Sequence, residues 1–189
     1  MAQITQRLCH LNYQKTNNLK IKDDKYYINE ALKKAKIAAK IGDIPVGCII
    51  VYKENKKNKK MCEVASNSNI KDSQILARTY NRRNVDKNAI SHAEIIAISR
   101  ACKKIKDFRL EECTMYVTLE PCQMCAGAIV QSRIKRLVIG ARSKKSGSCG
   151  SIINILDNNE FNHKVEVSYL EDDDCVNILK DFFKIIRKK

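Results

Sequence analysis

The sequence predicts an α/β fold in which helices pack on the faces of a β-sheet. Segments with apolar residues at helical spacing alternate along the chain with short apolar runs of strand length, and this alternation is typical of α/β proteins. The chain has 189 residues, of which 44% are hydrophobic, so one domain can bury a core of its own. Because no internal repeat is visible, we expect a single domain over residues 25–189.

The chain begins with a segment that carries no structural signal. Residues 1–24 are polar and basic and show no hydrophobic period, so we expect a poorly ordered extension. Apolar residues then recur at helical spacing and predict an amphipathic helix over residues 25–41 that ends near Gly42.

The next segments predict a strand pair around a charged loop. An apolar run over residues 45–52 predicts a buried strand, and the lysine-rich residues 53–60 predict a solvated loop. Residues 61–66 and 75–80 are two short strand candidates. We expect the second of them to pair with the 45–52 strand.

The second half of the chain alternates regularly between helix and strand. In order, the pattern predicts a helix over residues 91–104, a strand over 114–119, a helix over 122–132, a strand over 136–141, a turn over 147–150, a strand over 165–168 and a helix over 172–187. In the last helix we expect Phe182 and Phe183 to pack mainly in the core.

Charge and cysteine content limit the function and the compartment. The formal net charge is +15, which favours a polyanionic partner, although a basic protein can also use lysine for solubility. The nine cysteines are odd in number and mostly lie in apolar stretches, which favours a reducing compartment over a disulfide framework. No apolar run approaches the ~20 residues of a membrane span. The acid-poor extension leaves an organelle leader open as an alternative.

The most informative motif combines His92 and Glu94 with Cys122 and Cys125. One imidazole and two thiolates suit a tetrahedral Zn²⁺ with three protein ligands and one open position for water. Two intervening residues place Cys122 and Cys125 on one face of a helical turn after Pro121. Glu94 is not needed as a ligand, so it is free to move protons.

Each part of this motif has a simpler explanation when it is taken alone. A single histidine is more often a core or surface residue, and a single C-x-x-C can be a redox pair or half of a structural zinc site. Ser91 and Glu94 also fit a helix capping box, S-x-x-E. A structural site wants four ligands, however, and a redox pair leaves His92 and Glu94 unexplained. The combination therefore favours catalytic zinc.

From residue 26 onwards the chain resembles the bacterial-type tRNA adenosine deaminases, members of the cytidine-deaminase-like superfamily. The matching runs are Ile44-Pro45-Val46-Gly47, Asn81-Arg82, His92-Ala93-Glu94-Ile95, Tyr116-Val117-Thr118-Leu119-Glu120-Pro121-Cys122, Cys125-Ala126-Gly127-Ala128, Ser132-Arg133-Ile134, Gly140-Ala141-Arg142, Phe161-Asn162-His163 and Asp181-Phe182-Phe183. The zinc motif is shared by the whole superfamily, and the flanking runs point to the tRNA branch.

The resemblance implies a fold, an activity and a partner. The fold is a three-layer cytidine-deaminase-like α/β fold, with a five-stranded mixed and mostly parallel sheet and helices on both faces. The activity is that of a hydrolase acting on a C–N bond of a cyclic amidine, which converts the wobble adenosine of tRNA to inosine and releases ammonia. The partner is the tRNA anticodon loop. The resemblance also implies a cytoplasmic homodimer with one Zn²⁺ per subunit.

It further implies roles for individual residues. Those roles are zinc ligands for His92, Cys122 and Cys125, proton transfer for Glu94, adenosine contacts for Asn81 and Val46, and RNA contacts for Arg142, Ser143 and Arg187.

Three features depart from the family pattern. Ser143 stands where the family usually has an acidic residue that touches the anticodon loop. Residues 53–73 insert a long segment into a hairpin that is normally tight, and residues 1–24 are an addition. Two alternatives stay open: a deaminase of free nucleosides or bases, and a non-catalytic RNA-binding subunit with structural zinc.

Overall fold

The computed structural model describes residues 23–158 and 160–187, so residues 1–22 of the predicted extension lie outside the described residues. The helices and strands, in chain order, are α1 Asp24–Lys40, β1 Gly47–Tyr52, α2 Lys59–Asn67, β2 Ile75–Tyr80, α3 Arg83–Asp86, α4 Ala93–Ile105, β3 Cys113–Val117, α5 Gln123–Gln131, β4 Arg136–Ile139, β5 Glu166–Tyr169 and α6 Asp173–Ile186. Within the described part, every predicted helix and strand is found within a few residues of its predicted bounds, with one exception.

The exception is the segment at 61–66, which was predicted to be a strand and is part of helix α2. The side chain of Asn58 caps this helix by accepting a hydrogen bond from the Met61 amide (3.2 Å). Met61 and Ala65 are spaced by one helical turn, and both are buried in the core. Lys59–Asn67 therefore forms a helix that packs against the core.

The sheet has five strands in the order β2-β1-β3-β4-β5. Strand β1 pairs antiparallel with both β2 and β3, whereas β4 lies parallel to β3 and β5. The expected pairing of the 75–80 strand with the 45–52 strand is confirmed. The sheet is mixed, as expected, but the expectation that it is mostly parallel is wrong, because only two of its four pairings are parallel.

Two hydrophobic clusters, one on each face, make the fold three-layered. Helices α1 and α6 contribute to one cluster with Ile49, Val51 and Tyr116 of the sheet. Helices α2, α4 and α5 contribute to the other with alternate residues of the same strands, such as Cys48 and Ile50. The predicted three-layer α/β architecture is confirmed.

Helix α6 buries less of its surface than the sequence predicts. Phe183 is 40% exposed, and Ile185 and Ile186 are also exposed, so placing Phe183 mainly in the core was wrong. Phe182 is half-buried and meets Phe183 edge-on. Among the described residues, no helix combines the length and apolarity needed to cross a membrane.

Candidate active site

Helices α4 and α5 begin side by side, and their N-terminal residues bring three metal-ligating side chains together. His92 is the N-cap of α4 and Cys122 is the N-cap of α5. The Nδ1 atom of His92 lies 3.8 Å from Sγ of Cys122 and 3.4 Å from Sγ of Cys125. One ligand atom from each of the three residues lies within 4.8 Å of the other two. The predicted metal-binding group is therefore assembled in the fold.

The chemistry of these three side chains fits a zinc ion. A hydrogen bond from Cys125, together with His92, lowers the pKa of the Cys122 thiol to about 3, although burial opposes this shift. The same hydrogen bond and burial raise the pKa of Cys125. A thiolate is a ready metal ligand. Two sulfurs and one imidazole leave a fourth tetrahedral position that no other cysteine, histidine or carboxylate of the described residues shares.

Glu94 lies in the first turn of α4 and is 4% exposed. Burial raises the pKa of its carboxyl group, while the neighbouring His92 acts in the opposite direction. A capping box would need Ser91 at the N-cap, but His92 occupies that position and helix α4 begins at Ala93. The predicted S-x-x-E capping box of Ser91 and Glu94 is therefore not formed.

These residues line a small pocket of about 140 Å³. The lining residues are Ile44, Val46, Asn81, Arg83, His92, Glu94, Leu119, Glu120, Cys122 and Ser146. The volume is below the ~300–1,000 Å³ of pockets that enclose drug-sized ligands. The pocket therefore suits a small group rather than a large ligand.

Asn81 is presented to this pocket in a fixed orientation. Its Nδ2 atom donates a 2.6 Å hydrogen bond to Oδ1 of Asp43, and its backbone N–H donates to the carbonyl of Val46. Asp43 is 1% exposed and also accepts from the amides of Ile44 and Asn84. Because a carboxylate only accepts, the amide nitrogen of Asn81 must face Asp43. Among the described residues, no hydrogen bond to the Asn81 carbonyl oxygen is found, so this oxygen is available to a ligand in the pocket.

Arg83 lines the pocket, and hydrogen bonds of the two neighbouring residues hold its backbone in place. The preceding Arg82 amide donates to the carbonyl of Ser91 (3.0 Å), and the following Asn84 amide donates to Asp43 (2.8 Å). Arg82 forms an ion pair with Asp86 (2.7 Å). Among the described residues, no ion pair is found for the exposed guanidinium of Arg83.

Three predicted contact residues lie outside the pocket. Ser143 is buried, and its amide donates to Glu120 (2.9 Å). Arg142 stacks on the ring of Tyr169 (3.8 Å to the centroid) and pairs with Glu171. Arg142 and Arg187 line a separate groove of about 650 Å³ on the outside of α6. Ser146, three residues after Ser143, is the serine that reaches the pocket.

Sequence reasoning missed four residues of the site or its support: Asp43, Arg83, Glu120 and Ser146. Asp43 lies three residues before Val46 and Arg83 two residues after Asn81, and this closeness to predicted contact residues was the only available signal. Glu120 belongs to a matching run of the resemblance, but no role was attached to it.

Comparisons with known proteins agree with this site. The family model described as MafB19-like deaminase matches residues 22–187. A tRNA-specific adenosine deaminase of Bacillus subtilis (strain 168) is 39% identical over 167 residues, which cover 88% of this chain and 92% of the relative. A tRNA-specific adenosine deaminase of Rickettsia bellii (strain RML369-C) is 39% identical over 161 residues, which cover 85% and 99%.

Solved structures share the architecture. A structure from a study of A-to-I editing by tRNA:A34 deaminases at the wobble position superposes with a TM-score of 0.69 and 30% identity, covering 82% of this chain and 99% of the other. A guanine deaminase from Nitrosomonas europaea superposes with a TM-score of 0.61 at 19% identity, covering 83% and 82%. At that identity the second match shows the fold alone.

Proposed function

The chain belongs to the MafB19-like deaminase family, and we propose that it is a zinc-dependent enzyme that deaminates adenosine 34, the wobble nucleotide of tRNA, to inosine. The observation that carries the proposal is the pocket lined by His92, Cys122 and the buried Glu94 and Asn81, with Cys125 next to His92 and Cys122. Relatives that cover most of the chain are named for this reaction, and the net charge of +15 suits an RNA substrate.

His92, Cys122 and Cys125 would hold one Zn²⁺ per subunit. Zinc bound by three protein ligands supplies Lewis-acid activation of water at neutral pH. The three side chains come from the starts of two helices, where the free N–H groups favour the negative charge of a thiolate. The pocket walls exclude bulk water from the carboxyl group of Glu94.

Glu94 moves the protons of the reaction. It accepts a proton from the attacking water and delivers that proton to N1 of the adenine. It then takes the proton of the C6 hydroxyl group and delivers it to the leaving amine, so that ammonia departs and the C6 carbonyl of inosine remains. Burial raises the pKa of Glu94, which makes its carboxylate a stronger base towards the water than an exposed carboxylate. Glu94 can carry out these proton transfers without a second acid or base from the described pocket residues.

The remaining pocket residues bind the nucleotide. Val46 packs against the base, and the fixed amide of Asn81 offers its carbonyl oxygen to a donor of the nucleoside. Single-stranded loop nucleotides suit such a pocket because they can be unstacked at low cost. Arg83 lies where the phosphates would emerge. Arg142 and Arg187 contribute to the wider surface for the tRNA anticodon loop. Ser143 is buried and supports the protein segment that carries it.

We also propose that the enzyme is a cytoplasmic homodimer. Ile152 and Ile153 are 58% and 50% exposed on the segment that follows the pocket loop. Adjacent apolar side chains at the surface suit a protein interface. Sedimentation of the purified protein tests the assembly, and a monomer at all concentrations would contradict it.

One experiment tests the function against its alternatives. The purified protein is incubated with a tRNA bearing adenosine at position 34, with a matched tRNA bearing guanosine there, and with free adenosine and cytidine. We expect inosine and ammonia from the first substrate alone. Turnover of free nucleosides but not of tRNA would support the small-substrate alternative. Tight tRNA binding without any turnover would support a non-catalytic RNA-binding subunit.

A further inference from the structure

A second carboxylate, that of Glu120, lines the pocket, and its surroundings differ from those of Glu94. Glu120 follows strand β3 and is 3% exposed. Its oxygens accept hydrogen bonds from three backbone amides, those of Ser143 (2.9 Å), Cys149 (3.1 Å) and Ser151 (3.0 Å). The Ser151 hydroxyl donates to it as well, and the Tyr169 oxygen lies 3.4 Å from Oε1. These four donors fill the roughly four lone-pair sites of a carboxylate, so no acceptor site is left for a substrate proton.

The four donors belong to a single segment, which we name the 143–151 loop. Ser143 and Ser151 stand at its two ends, and Glu120 ties both of them to one point. The loop is also joined to the metal-site segment, because the Ser148 amide donates to the carbonyl of Pro121 (2.9 Å). Its tip carries the exposed residues Lys144, Lys145 and Ser146. Ser146 reaches the pocket.

The loop is packed against its anchor without spare room. A Cβ atom on Gly147 would lie 2.4 Å from Oε2 of Glu120 and 2.5 Å from the carbonyl oxygen of Ser143. Tyr169 reinforces the loop by donating a 2.5 Å hydrogen bond to the Cys149 carbonyl. Three backbone amides of the loop are hydrogen-bonded to the buried carboxylate of Glu120, and these bonds restrict the motion of the loop.

We propose that Glu120 is a positioning residue for substrate binding, which fixes the 143–151 loop so that Ser146 forms one wall of the nucleotide pocket. The inference rests on the proposed function for its substrate. Glu120 acts through the loop and transfers no proton, in contrast to Glu94. The rigid wall is expected to act mainly on the binding of tRNA, because a displaced loop opens the pocket without altering Glu94 or the zinc ligands.

The test compares Glu120→Ala, Glu120→Gln and Gly147→Ala in the full chain. Glu120→Ala removes all hydrogen bonds between the loop and the side chain at position 120, and Gly147→Ala displaces the loop from Glu120 without altering Glu120 itself. Glu120→Gln keeps one acceptor oxygen and is expected to be intermediate. In Glu120→Ala and Gly147→Ala we expect KM for tRNA to rise about tenfold or more, with a smaller change in kcat. We also expect faster trypsin cleavage after Lys144 and Lys145, with zinc content retained.

Glu112 provides the matched control. It is also a buried carboxylate, it precedes β3 as Glu120 follows it, and it accepts from Asn55, Asn58 and Lys135 at the opposite end of the sheet. Glu112→Ala should lower thermal stability without raising KM or exposing Lys144 and Lys145 to trypsin. Equal KM increases in Glu112→Ala and Glu120→Ala would overturn the proposal.

Three further results would also overturn it. One is a fall in kcat of ~10²-fold in both Glu120 variants at constant KM, which would indicate proton transfer. Another is loss of zinc from Gly147→Ala and Glu120→Ala alike. The third is unchanged trypsin cleavage in both variants. The trypsin assay does not depend on activity, so the anchoring is testable even if tRNA is not the substrate.

Discussion

Oδ1 of Asp43 accepts a 2.6 Å hydrogen bond from Nδ2 of Asn81, and this contact decides which atom of the Asn81 amide faces the pocket. Without the carboxylate, the amide can rotate and present its nitrogen to the nucleoside. We therefore expect Asp43→Ala to lower kcat/KM for tRNA by at least tenfold, because a fixed acceptor is replaced by a rotating group. Steady-state kinetics with the purified tRNA substrate would measure this change.

Asn84→Ala is the control for Asp43. The Asn84 side chain donates to the carbonyl of Gly42 (2.9 Å), while its backbone amide binds Asp43. Asn84→Ala therefore loosens the same segment and leaves the Asp43–Asn81 contact intact. If Asn84→Ala reduces kcat/KM as much as Asp43→Ala does, Asp43 acts only on loop stability and the orientation argument fails.

Glu94→Gln is expected to keep the fold and the zinc ion and to lose at least ~10²-fold in kcat, because an amide cannot shuttle protons. Glutamine has nearly the same shape as glutamate and removes the charge alone. Zinc content and thermal unfolding should match the unaltered protein, while single-turnover assays of inosine formation measure the loss. A variant with full turnover would remove Glu94 from the mechanism.

Removal of the metal should both inactivate and destabilise the protein. Metal binding to ligands that exist only in the folded state adds to folding free energy, so dialysis against a chelator should lower Tm and abolish turnover, and added Zn²⁺ should restore both. Cys122→Ser and Cys125→Ser should purify with little zinc. Cys102→Ser alters a half-buried thiol of α4 outside the site and should bind one zinc per chain. Equal zinc content in all three variants would refute the ligand assignment.

Arg83→Ala tests the cation at the pocket mouth. We expect KM for tRNA to rise several-fold and the slope of log K against log salt to become shallower by about 1, because one phosphate contact is lost. Arg109→Ala removes one charge beyond the far end of α4, whose 13 residues span about 20 Å. Filter binding across a salt series compares the two variants, and identical slopes would mean that only net charge matters.

The sequence predicts the helices and strands well where the hydrophobic period and the length of a segment indicate the same structure. The prediction fails where contacts with distant residues decide the structure of a segment. The short run at 61–66 contains too few residues to separate a strand from a helix by period alone. Its helical state is fixed by a cap from Asn58 and by the packing of Met61 and Ala65 against distant residues. The pairing pattern of the sheet is likewise set by tertiary contacts that no local segment encodes.

The candidate site divides in the same way. His92, Glu94, Cys122 and Cys125 are recognisable because metal chemistry restricts residue type and spacing. Asp43 and Glu120 serve by accepting backbone and amide hydrogen bonds from residues that are distant in sequence. Any buried carboxylate could do that work, so the residue type alone carries no signal. The positions of Arg142 and Arg187 depend on how α6 packs, and the structure places both outside the pocket.

Asp24 ties the start of α1 to the sheet and should make stability depend on pH in acid. Its oxygens accept two 2.8 Å hydrogen bonds from Arg136 and one of 2.9 Å from Tyr116. The Arg136 hydrogen bonds hold the pKa of Asp24 below its ordinary value, although partial burial opposes them. A carboxylate whose folded pKa is depressed stabilises the fold above its unfolded pKa of ~3.9 and loses that contribution as pH falls through the folded pKa. Asp24→Asn should therefore lower the free energy of unfolding by about 1–2 kcal/mol at pH 7, and the difference should shrink steadily below pH ~4.

Urea unfolding from pH 7 to pH 3 measures this difference. Asp86→Asn, which breaks the surface pair with Arg82, should change the free energy of unfolding less because solvent screens that pair. A difference between Asp24→Asn and the unaltered protein that stays constant, or grows, as the pH falls would show that Asp24 does not act through its charge.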